Sequence, residues 1–227
     1  MTKQIHNLQQ GSPEWHQFRA NHYPASDAAA MLGLSPYKSR TELLQEKKTG
    51  ITKDVDPATQ RIFDRGHEIE ALARPLAEAY INDDLYPVVC SNGLLSASCD
   101  GLTMDASIAW ECKSFNAADF ETVSNGQLPE KHWPQCQQVL YVTGAEKLLF
   151  TISDGADLVA HIWVYPDQDK QDQIIAGWEQ FKTDLENFVI VEPVADPVAE
   201  AIPQLPALSV ITRGEVIQSN QIGRAHV

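Results

Sequence analysis

Apolar residues along the chain repeat with two different periods, and these periods separate predicted helices from predicted strands. The longest helical repeat runs over Asp167–Phe188, with apolar positions at Ile174, Ile175, Trp178, Phe181, Leu185 and Phe188. Shorter patterns with a helical period predict further helices at Glu14–Asn21, Ser26–Leu32, Ser39–Thr49, Ala58–Asn82 and Pro129–Thr143. Pro75 lies inside the predicted helix Ala58–Asn82 and predicts a kink or a break there.

Between and after these helices the pattern changes to short extended segments. They are Leu85–Ser91, Leu94–Asp100, Ser107–Ser114, Lys147–Ser153 and Leu158–Tyr165. Turns are expected at Tyr23-Pro24 and Ser35-Pro36. Trp15 and Phe18 share a helix face and are expected to pack in the core. The pattern therefore predicts one domain of mixed helices and strands over residues 1–190.

After residue 190 the composition changes. Residues 191–208 combine prolines with Val, Ala and Glu, which is typical of a semi-rigid linker. Residues 209–227 begin a strand-like segment that is too short to fold alone, so we expect the start of a truncated C-terminal region. The last six residues, Ile222–Val227, correspond to a translated sequencing-adapter sequence, and we interpret them as an artefact.

Composition limits the cellular setting. The first residues lack an apolar signal region, and no stretch has the apolar length needed to cross a bilayer, so a cytoplasmic protein with no membrane partner is expected. The four cysteines lack a C-x-x-C pair, which favours reduced packing thiols over a metal or disulfide framework.

The net charge of −14 is unusual for a protein that binds nucleic acid, but the charge is unevenly distributed. Residues 1–75 carry ten Lys or Arg against nine Asp or Glu, a net of +1, and the remainder carries seven against twenty-two, a net of −15. An acidic protein usually binds DNA weakly outside a dedicated pocket. Composition by itself thus points away from DNA.

The candidate chemistry lies in two neighbouring predicted strands. Asp100 ends one strand, and Glu111 and Lys113 lie on the same face of the strand that returns, while Trp110 and Cys112 point into packing. A hairpin with this loop length brings Asp100 opposite Glu111. Two carboxylates and a lysine at one point suit a magnesium ion and phosphodiester hydrolysis. A solvated pair at a sheet edge remains the alternative for these three residues.

Four sequence blocks occur in a fixed order around this hairpin. They are Gln10–Arg19 followed by Ser26, Arg65–Ala71, Ser98–Gly101 with Trp110–Lys113, and His132–Gln138 leading into Tyr141–Gly144. Together they resemble the YqaJ-type phage recombination exonucleases, a family close in plan to lambda exonuclease within the PD-(D/E)xK nuclease superfamily. The resemblance spans about residues 8–188 and implies an α+β fold with a restriction-endonuclease-like core, in which helices flank a central mixed β-sheet.

The resemblance also implies roles for individual residues. The catalytic residues are expected to be Asp100, Glu111, Lys113 and Glu70. The metal ligands are expected to be Asp100, Glu111, Glu70 and the backbone carbonyl of Cys112. The residues expected to hold phosphate are Arg19, Ser26, Ser98 and Gln135.

The residue types fit these roles, with alternatives. Arg19 offers a planar fork of donors for phosphate, or a surface ion pair with Glu14 or Asp27. Ser26 is a candidate N-cap of the following helix, with or without a ligand. Gln135 is expected beside the lysine or a phosphate, or on the helix surface. The family's arginine shortly after the lysine is missing from residues 114–119, so that phosphate contact is either lost or supplied from elsewhere.

The resemblance predicts an exonuclease that uses Mg²⁺, or Mn²⁺ in its place, to degrade one strand of linear double-stranded DNA from the 5′ end. It implies a homotrimeric ring around DNA, a single-strand annealing protein as partner, and a phage or prophage origin in a bacterial cytoplasm. Two alternatives remain. One is a RecB-like or structure-specific nuclease of the same fold, and the other is a DNA-end-binding scaffold without catalysis.

Overall fold

The computed structural model describes residues 3–51 and 56–190. Its helices are α1 (Pro13–Ala20), α2 (Ala28–Met31), α3 (Arg40–Thr49), α4 (Pro57–Ile81), α5 (Ala117–Ser124), α6 (Trp133–Thr143) and α7 (Gln168–Asn187). Its strands are β1 (Lys3–His6), β2 (Tyr23–Pro24), β3 (Tyr86–Asn92), β4 (Leu95–Leu102), β5 (Ile108–Ser114), β6 (Lys147–Ser153) and β7 (Leu158–Val164). The expectations for 191–208, 209–227 and the last six residues lie outside the described residues.

All seven strands form one sheet. The main order is β1-β3-β4-β5-β6-β7, and β2 pairs with β4 beside this path. The pairs β2–β4 and β5–β6 are parallel, and the other pairs are antiparallel. The predicted class, a mixed sheet flanked by helices, is therefore confirmed.

Helices cover both faces of the sheet because its central strands are apolar on both sides. On one face, α6 buries Cys136, Val139 and Leu140 in a cluster with Phe150 and Ile152 of β6. On the other face, Ala73 and Ala77 of α4 pack with the group Leu85, Trp110, Cys112 and Leu149. Trp110 and Cys112 therefore point into packing, as predicted, and the alternate residues of β5 face α6.

Helix ends follow local capping chemistry. Ser39 and Glu42 form a reciprocal capping box at the start of α3. Asp56 accepts hydrogen bonds from the backbone N–H groups of Ala58 and Thr59 at the start of α4. Of the kink or break expected at Pro75, the break does not occur, since α4 continues to Ile81 with Ala73 and Ala77 fully buried.

Four elements differ from the sequence-based expectation. Tyr23–Pro24, expected as a turn, forms a short parallel strand against Leu95 and Ser96 of β4. A 3₁₀ turn, Ala25–Asp27, follows it and contains Ser26, so the prediction of Ser26 as an N-cap is wrong. Strand β1 and helix α5 were not predicted, although Asn116 caps α5 through its side-chain oxygen.

Two smaller expectations concern burial. The four cysteines are free and buried, in agreement with packing thiols. Trp15 and Phe18 were expected in the core, but α1 has no fully buried residue and both side chains are only partly buried. Within the described residues, no helix combines the length and the apolar character that a membrane span requires.

Candidate active site

The candidate site lies where two strands of the sheet separate. On the same side, β4 pairs with β2 at Leu95 and Ser96, and with β5 only at Gly101 and Leu102. Between these pairs, residues 97–99 of β4 are joined to β3, while residues 111–114 of β5 are joined to β6. A cleft therefore opens in the sheet between these two stretches, and α6 lies across it. Continuing the register of Gly101 with Trp110 brings Asp100 opposite Glu111, as predicted.

A side chain replaces the missing ladder bond at the edge of the cleft. Oδ2 of Asp100 accepts a hydrogen bond of 2.8 Å from the backbone N–H of Cys112. This contact fixes the Asp100 carboxylate against β5. It also satisfies a backbone donor that strand pairing would otherwise leave free.

Glu111 lies at the centre of a polar network although it is only 2% exposed. Its Oε1 atom accepts from Nζ of Lys113 at 2.6 Å and from Nε2 of Gln135 at 2.6 Å. Lys113 Nζ also donates to Oε1 of Gln135 at 3.2 Å, which closes the network. The other carboxylate oxygen, Oε2, is buried and has no hydrogen-bond partner among the described residues. A buried carboxylate oxygen without a partner is costly, and a cation would relieve that cost.

Glu70 approaches the same cleft from α4. Its Oε1 atom lies 2.9 Å from Nη2 of Arg74, one helical turn away. Burial and the charge of Glu111 raise the pKa of the Glu70 carboxyl, although Arg74 opposes the shift. A Cβ added to Gly66 would lie 3.9 Å from Oγ of Ser114, so this part of α4 passes beside the end of β5.

Burial and the neighbouring charges in the cleft shift the pKa values of Asp100 and Lys113. Burial raises the pKa of Asp100 well above its usual value, and the nearby charges of Glu111 and Glu70 raise it further. Burial alone would lower the pKa of Lys113, but the carboxylates of Glu111 and Asp100 outweigh it and leave the pKa raised. The surroundings of the cleft therefore disfavour the charged forms of Asp100 and Glu70 and favour the charged form of Lys113.

These donors match a hard divalent cation in chemistry, since they are carboxylate oxygens. Within residues 3–51 and 56–190, no three His, Cys, Asp or Glu side chains are arranged as a metal-binding cluster. The unpartnered Glu111 oxygen and the mutual repulsion of the carboxylates nevertheless fit a cation. The residues that would hold it are Asp100 and Glu111, with Glu70 and the Cys112 carbonyl as further oxygen donors.

A second group of expected residues meets at the end of α1. Nη2 of Arg19 donates to Oγ of Ser26 at 3.1 Å and lies 3.8 Å from Oδ2 of Asp27. The guanidinium group stacks over the ring of Trp15 at 4.7 Å. The indole N–H of Trp15 in turn donates to Oγ of Ser98 at 2.9 Å. Trp15 thus connects Ser98 with the Arg19 side chain instead of packing in the core.

The structure divides the expected phosphate residues between two places. Arg19, Ser26 and Ser98 belong to this group around Trp15, whereas Gln135 contacts Lys113 and Glu111. Arg19 does form the ion pair with Asp27 that was the alternative, but at 3.8 Å it is a long one.

Two features of the cleft were not predicted. Arg74 pairs with Glu70, and the i, i+4 spacing of an acid and a base on one helix was the available signal. His132 lies 3.3 Å from Oδ2 of Asp119, which also contacts Lys131 at 2.9 Å. Burial and the charge of Lys113 lower the pKa of His132 to about 4, so the ring is neutral at neutral pH. Asp119 is 13 residues from His132 in the chain, and nothing local in the sequence indicated this contact.

Comparison with known proteins gives one family and several solved structures. The family model of the YqaJ-like viral recombinase domain matches residues 14–146, more than half of the chain. No curated protein matches the chain. The alkaline exonuclease LHK-Exo from Laribacter hongkongensis has a similar fold, with a TM-score of 0.61 at 23% identity over 78% of this chain and 93% of that one. The same exonuclease in complex with dAMP gives a TM-score of 0.64.

A phage-related exonuclease from Haemophilus somnus 129PT is also similar, with a TM-score of 0.52 at 12% identity over 76% of this chain and 97% of that one. At these identities the structures support the fold alone. The family match covers α1, the cleft strands and α6, which are the elements that carry both groups of candidate residues. The chain therefore belongs to the family of YqaJ-like viral recombinase domains.

Proposed function

We propose that this protein is a metal-dependent exonuclease that degrades one strand of linear double-stranded DNA from the 5′ end. The remaining 3′ single strand would enter phage-type homologous recombination. The observation that carries the proposal is the buried network of Glu111, Lys113 and Gln135 beside Asp100, with one Glu111 oxygen left without a partner. Membership of the recombinase family and the similarity in fold to proteins named exonucleases support the same conclusion.

Asp100 and Glu111 hold the metal ion in this proposal, with Glu70 and the Cys112 carbonyl as additional donors. The chemistry that Mg²⁺ supplies in such a site is activation of a water molecule and neutralisation of charge that develops on the phosphate. Mn²⁺ shares the preference for oxygen ligands and should substitute. Arg74 keeps Glu70 in place through its 2.9 Å contact.

Lys113 positions or activates the attacking water in this proposal. The carboxylate of Glu111, 2.6 Å from its Nζ atom, holds the ammonium group beside the site. Gln135 steadies Lys113 and Glu111 through its two amide contacts. Because both contacts come from α6, the position of that helix controls the geometry of the lysine.

Arg19 and Ser26, supported by Ser98 through Trp15, would bind the terminal 5′-phosphate. Arg19 suits this role because its fork of donors can bind two phosphate oxygens at once. Partners in this proposal are linear duplex DNA, two further copies of the chain in a ring, and a single-strand annealing protein. The setting would be the cytoplasm of a bacterial host.

A gel assay tests the function directly. Linear duplexes with 5′-phosphate or 5′-hydroxyl ends, and a covalently closed circle, are incubated with Mg²⁺ or with a chelator. The expected result is progressive loss of one strand from the 5′-phosphorylated linear duplex, with Mg²⁺ only, while the circle survives. Cleavage of the closed circle would favour a structure-specific nuclease, and end binding without cleavage would favour a scaffold.

A further inference from the structure

Lys47 of α3 lies behind the Arg19 group, and no motif assigns it a role. Its Nζ atom donates to the backbone carbonyl of Arg19 at 2.7 Å and to that of His22 at 2.8 Å. These carbonyls belong to the last turn of α1 and the residues that follow it. An ammonium group that caps the carbonyl end of a helix holds that turn in place. Lys47 thereby fixes the backbone from which the Arg19 side chain extends.

The charges around Lys47 do not balance. Asp27 is the carboxylate that acts on both Lys47 and Arg19. Glu46, the other nearby acid, is already paired with Lys38 at 2.6 Å. Two partly buried cations therefore share one carboxylate, and repulsion from Arg19 acts on Lys47. A bound anion would relieve this excess of positive charge.

We propose that Lys47 is a positioning residue for a terminal phosphate, because it fixes the end of α1 and adds positive charge behind Arg19. This inference rests on the proposed function, since it takes a 5′-phosphate as the ligand of Arg19 and Ser26. It goes beyond that function by adding a pH-sensitive group to the pocket. Lys47 itself does not need to touch the phosphate.

The protonation of Lys47 gives its proposed role a pH dependence that can be measured. Burial lowers its pKa to about 8, and repulsion by Arg19 and Lys38 acts in the same direction, while Asp27 and Glu46 oppose it. Lys47 is charged below this pH and loses its charge above it. Affinity for a phosphorylated end should therefore fall between pH 7 and 9.5, a range in which Arg19 stays charged.

The adjacent residue provides a matched control. Lys48 Nζ donates to the carbonyls of Leu185 at 2.9 Å and Glu186 at 3.2 Å, at the end of α7. It makes the same kind of helix-capping contact, but away from Arg19. The variants to compare with the wild type are Lys47→Met, Lys47→Arg and Lys48→Met.

The experiment measures KM and kcat on 5′-phosphorylated and 5′-hydroxyl duplexes with Mg²⁺ from pH 7 to 9.5. Lys47→Met should raise KM for phosphorylated ends about tenfold at pH 7, leave kcat within about twofold and spare 5′-hydroxyl ends. It should also remove the pH dependence of that KM. Lys47→Arg should restore a low KM without the pH dependence, and Lys48→Met should behave as wild type. Hydrogen exchange of the free protein should be faster over residues 16–23 in Lys47→Met only.

Failure of this inference is distinguishable from failure of the proposed function. A wild type that treats both kinds of end alike overturns the phosphate pocket, and the role of Lys47 falls with it. A wild type that discriminates, together with an unchanged KM in Lys47→Met, overturns the role of Lys47 alone. An equal KM increase in Lys48→Met, or an equal loss on both kinds of end, would reduce Lys47 to a general structural contact and also overturn it.

Discussion

The cleft and the proposed phosphate pocket contain opposite excess charges. The pocket is formed by Arg19, Ser26 and Asp27, with Lys47 behind them. In the cleft, the carboxylates of Glu70, Asp100 and Glu111 face the two cations Lys113 and Arg74. In the pocket, Arg19 and Lys47 face Asp27, while Glu46 is paired with Lys38. The cleft thus has an excess of negative charge, which suits a metal cation. The pocket has an excess of positive charge, which suits a phosphate. Stability alone would favour balanced charges in both.

The two regions also differ in how they are built. The cleft is a local feature of one hairpin, since residues 100–113 supply three of its charged groups. The pocket is assembled from distant pieces, because the Trp15–Ser98 contact spans 83 residues and the Lys47–Arg19 contact spans 28. Substitutions should therefore affect the two regions independently. Cleft variants should change kcat, and pocket variants should change KM for phosphorylated ends.

Asp100→Asn should have the largest effect. The amide can still accept the Cys112 N–H, but the negative charge is lost. A metal ion supplies several kcal/mol of charge stabilisation, and about 4 kcal/mol corresponds to roughly a thousandfold in rate. We expect kcat with Mg²⁺ to fall by about this factor in single-turnover assays. In chelator, the free energy of unfolding should rise by about 1 kcal/mol, because repulsion with Glu111 and Glu70 is removed.

Asp105→Asn is the matched control, because Asp105 is an exposed acid in the turn of the same hairpin. It should leave kcat unchanged. Undiminished Mg²⁺-dependent digestion by Asp100→Asn would refute the assignment of the metal site.

Lys113→Ala should lower kcat by about a hundredfold or more, the usual loss when one positioned hydrogen-bond donor is removed from an active site. DNA-end binding, measured by fluorescence anisotropy in chelator, should stay within about threefold of wild type. The variant should also lose about 3 kcal/mol of stability, since Glu111 is buried and keeps only Gln135. Lys147→Ala is the control, because Lys147 lies on neighbouring β6 over the ring of Trp163. Lost end binding with retained cleavage would reverse the proposed role of Lys113.

The sequence predicted the cleft better than the pocket for a physical reason. Strand alternation and the length of one hairpin determine that Glu111 and Lys113 share a face and that Asp100 lies opposite. No such local rule links Trp15 to Ser98 or Lys47 to the end of α1. Ser26 shows how a local rule can fail, since strand β2 precedes it and the chain enters α2 through a 3₁₀ turn.

The fold shows the same division. Long elements with strong periodicity, such as α4 and α7, were predicted close to their observed bounds. Strand β1 was missed because its four residues show no alternation of buried and exposed positions and gain their place by pairing with β3. Helix α5 was missed because the cap of Asn116 is a weak signal without a long apolar repeat behind it. Tertiary context determines these short elements.

Arg19→Gln tests the pocket. Loss of charged hydrogen bonds to phosphate costs about 1.5–3 kcal/mol, so KM for 5′-phosphorylated ends should rise roughly tenfold to a hundredfold. The value of kcat should change by less than about threefold, and 5′-hydroxyl duplexes should be degraded as before. Arg19→Lys should restore little, because lysine lacks the fork of donors. An equal loss on both kinds of end would indicate that Arg19 supports the fold and does not bind the phosphate.

Gln135→Leu gives the smallest expected effect and determines which region Gln135 serves. The family resemblance groups Gln135 with the phosphate residues, but its amide contacts Lys113 and Glu111. Loss of two hydrogen bonds that orient the lysine should lower kcat about tenfold, by the usual 0.5–1.5 kcal/mol for each bond. If Gln135 acts in the cleft, the ratio of kcat/KM for phosphorylated and hydroxyl ends should stay constant.

Gln137→Leu is its control on the same helix, because Gln137 bonds to the backbone of Tyr165 and Asp167, at the approach to α7. That variant should lower the melting temperature and leave kcat within about twofold, since its contacts join α6 to the segment before α7 and not to the cleft. A Gln135→Leu variant that instead loses discrimination between the two ends, with kcat intact, would move Gln135 to the pocket. Gln135 would then be assigned to a region by the ligand that it touches, and not by its hydrogen bonds in the free protein.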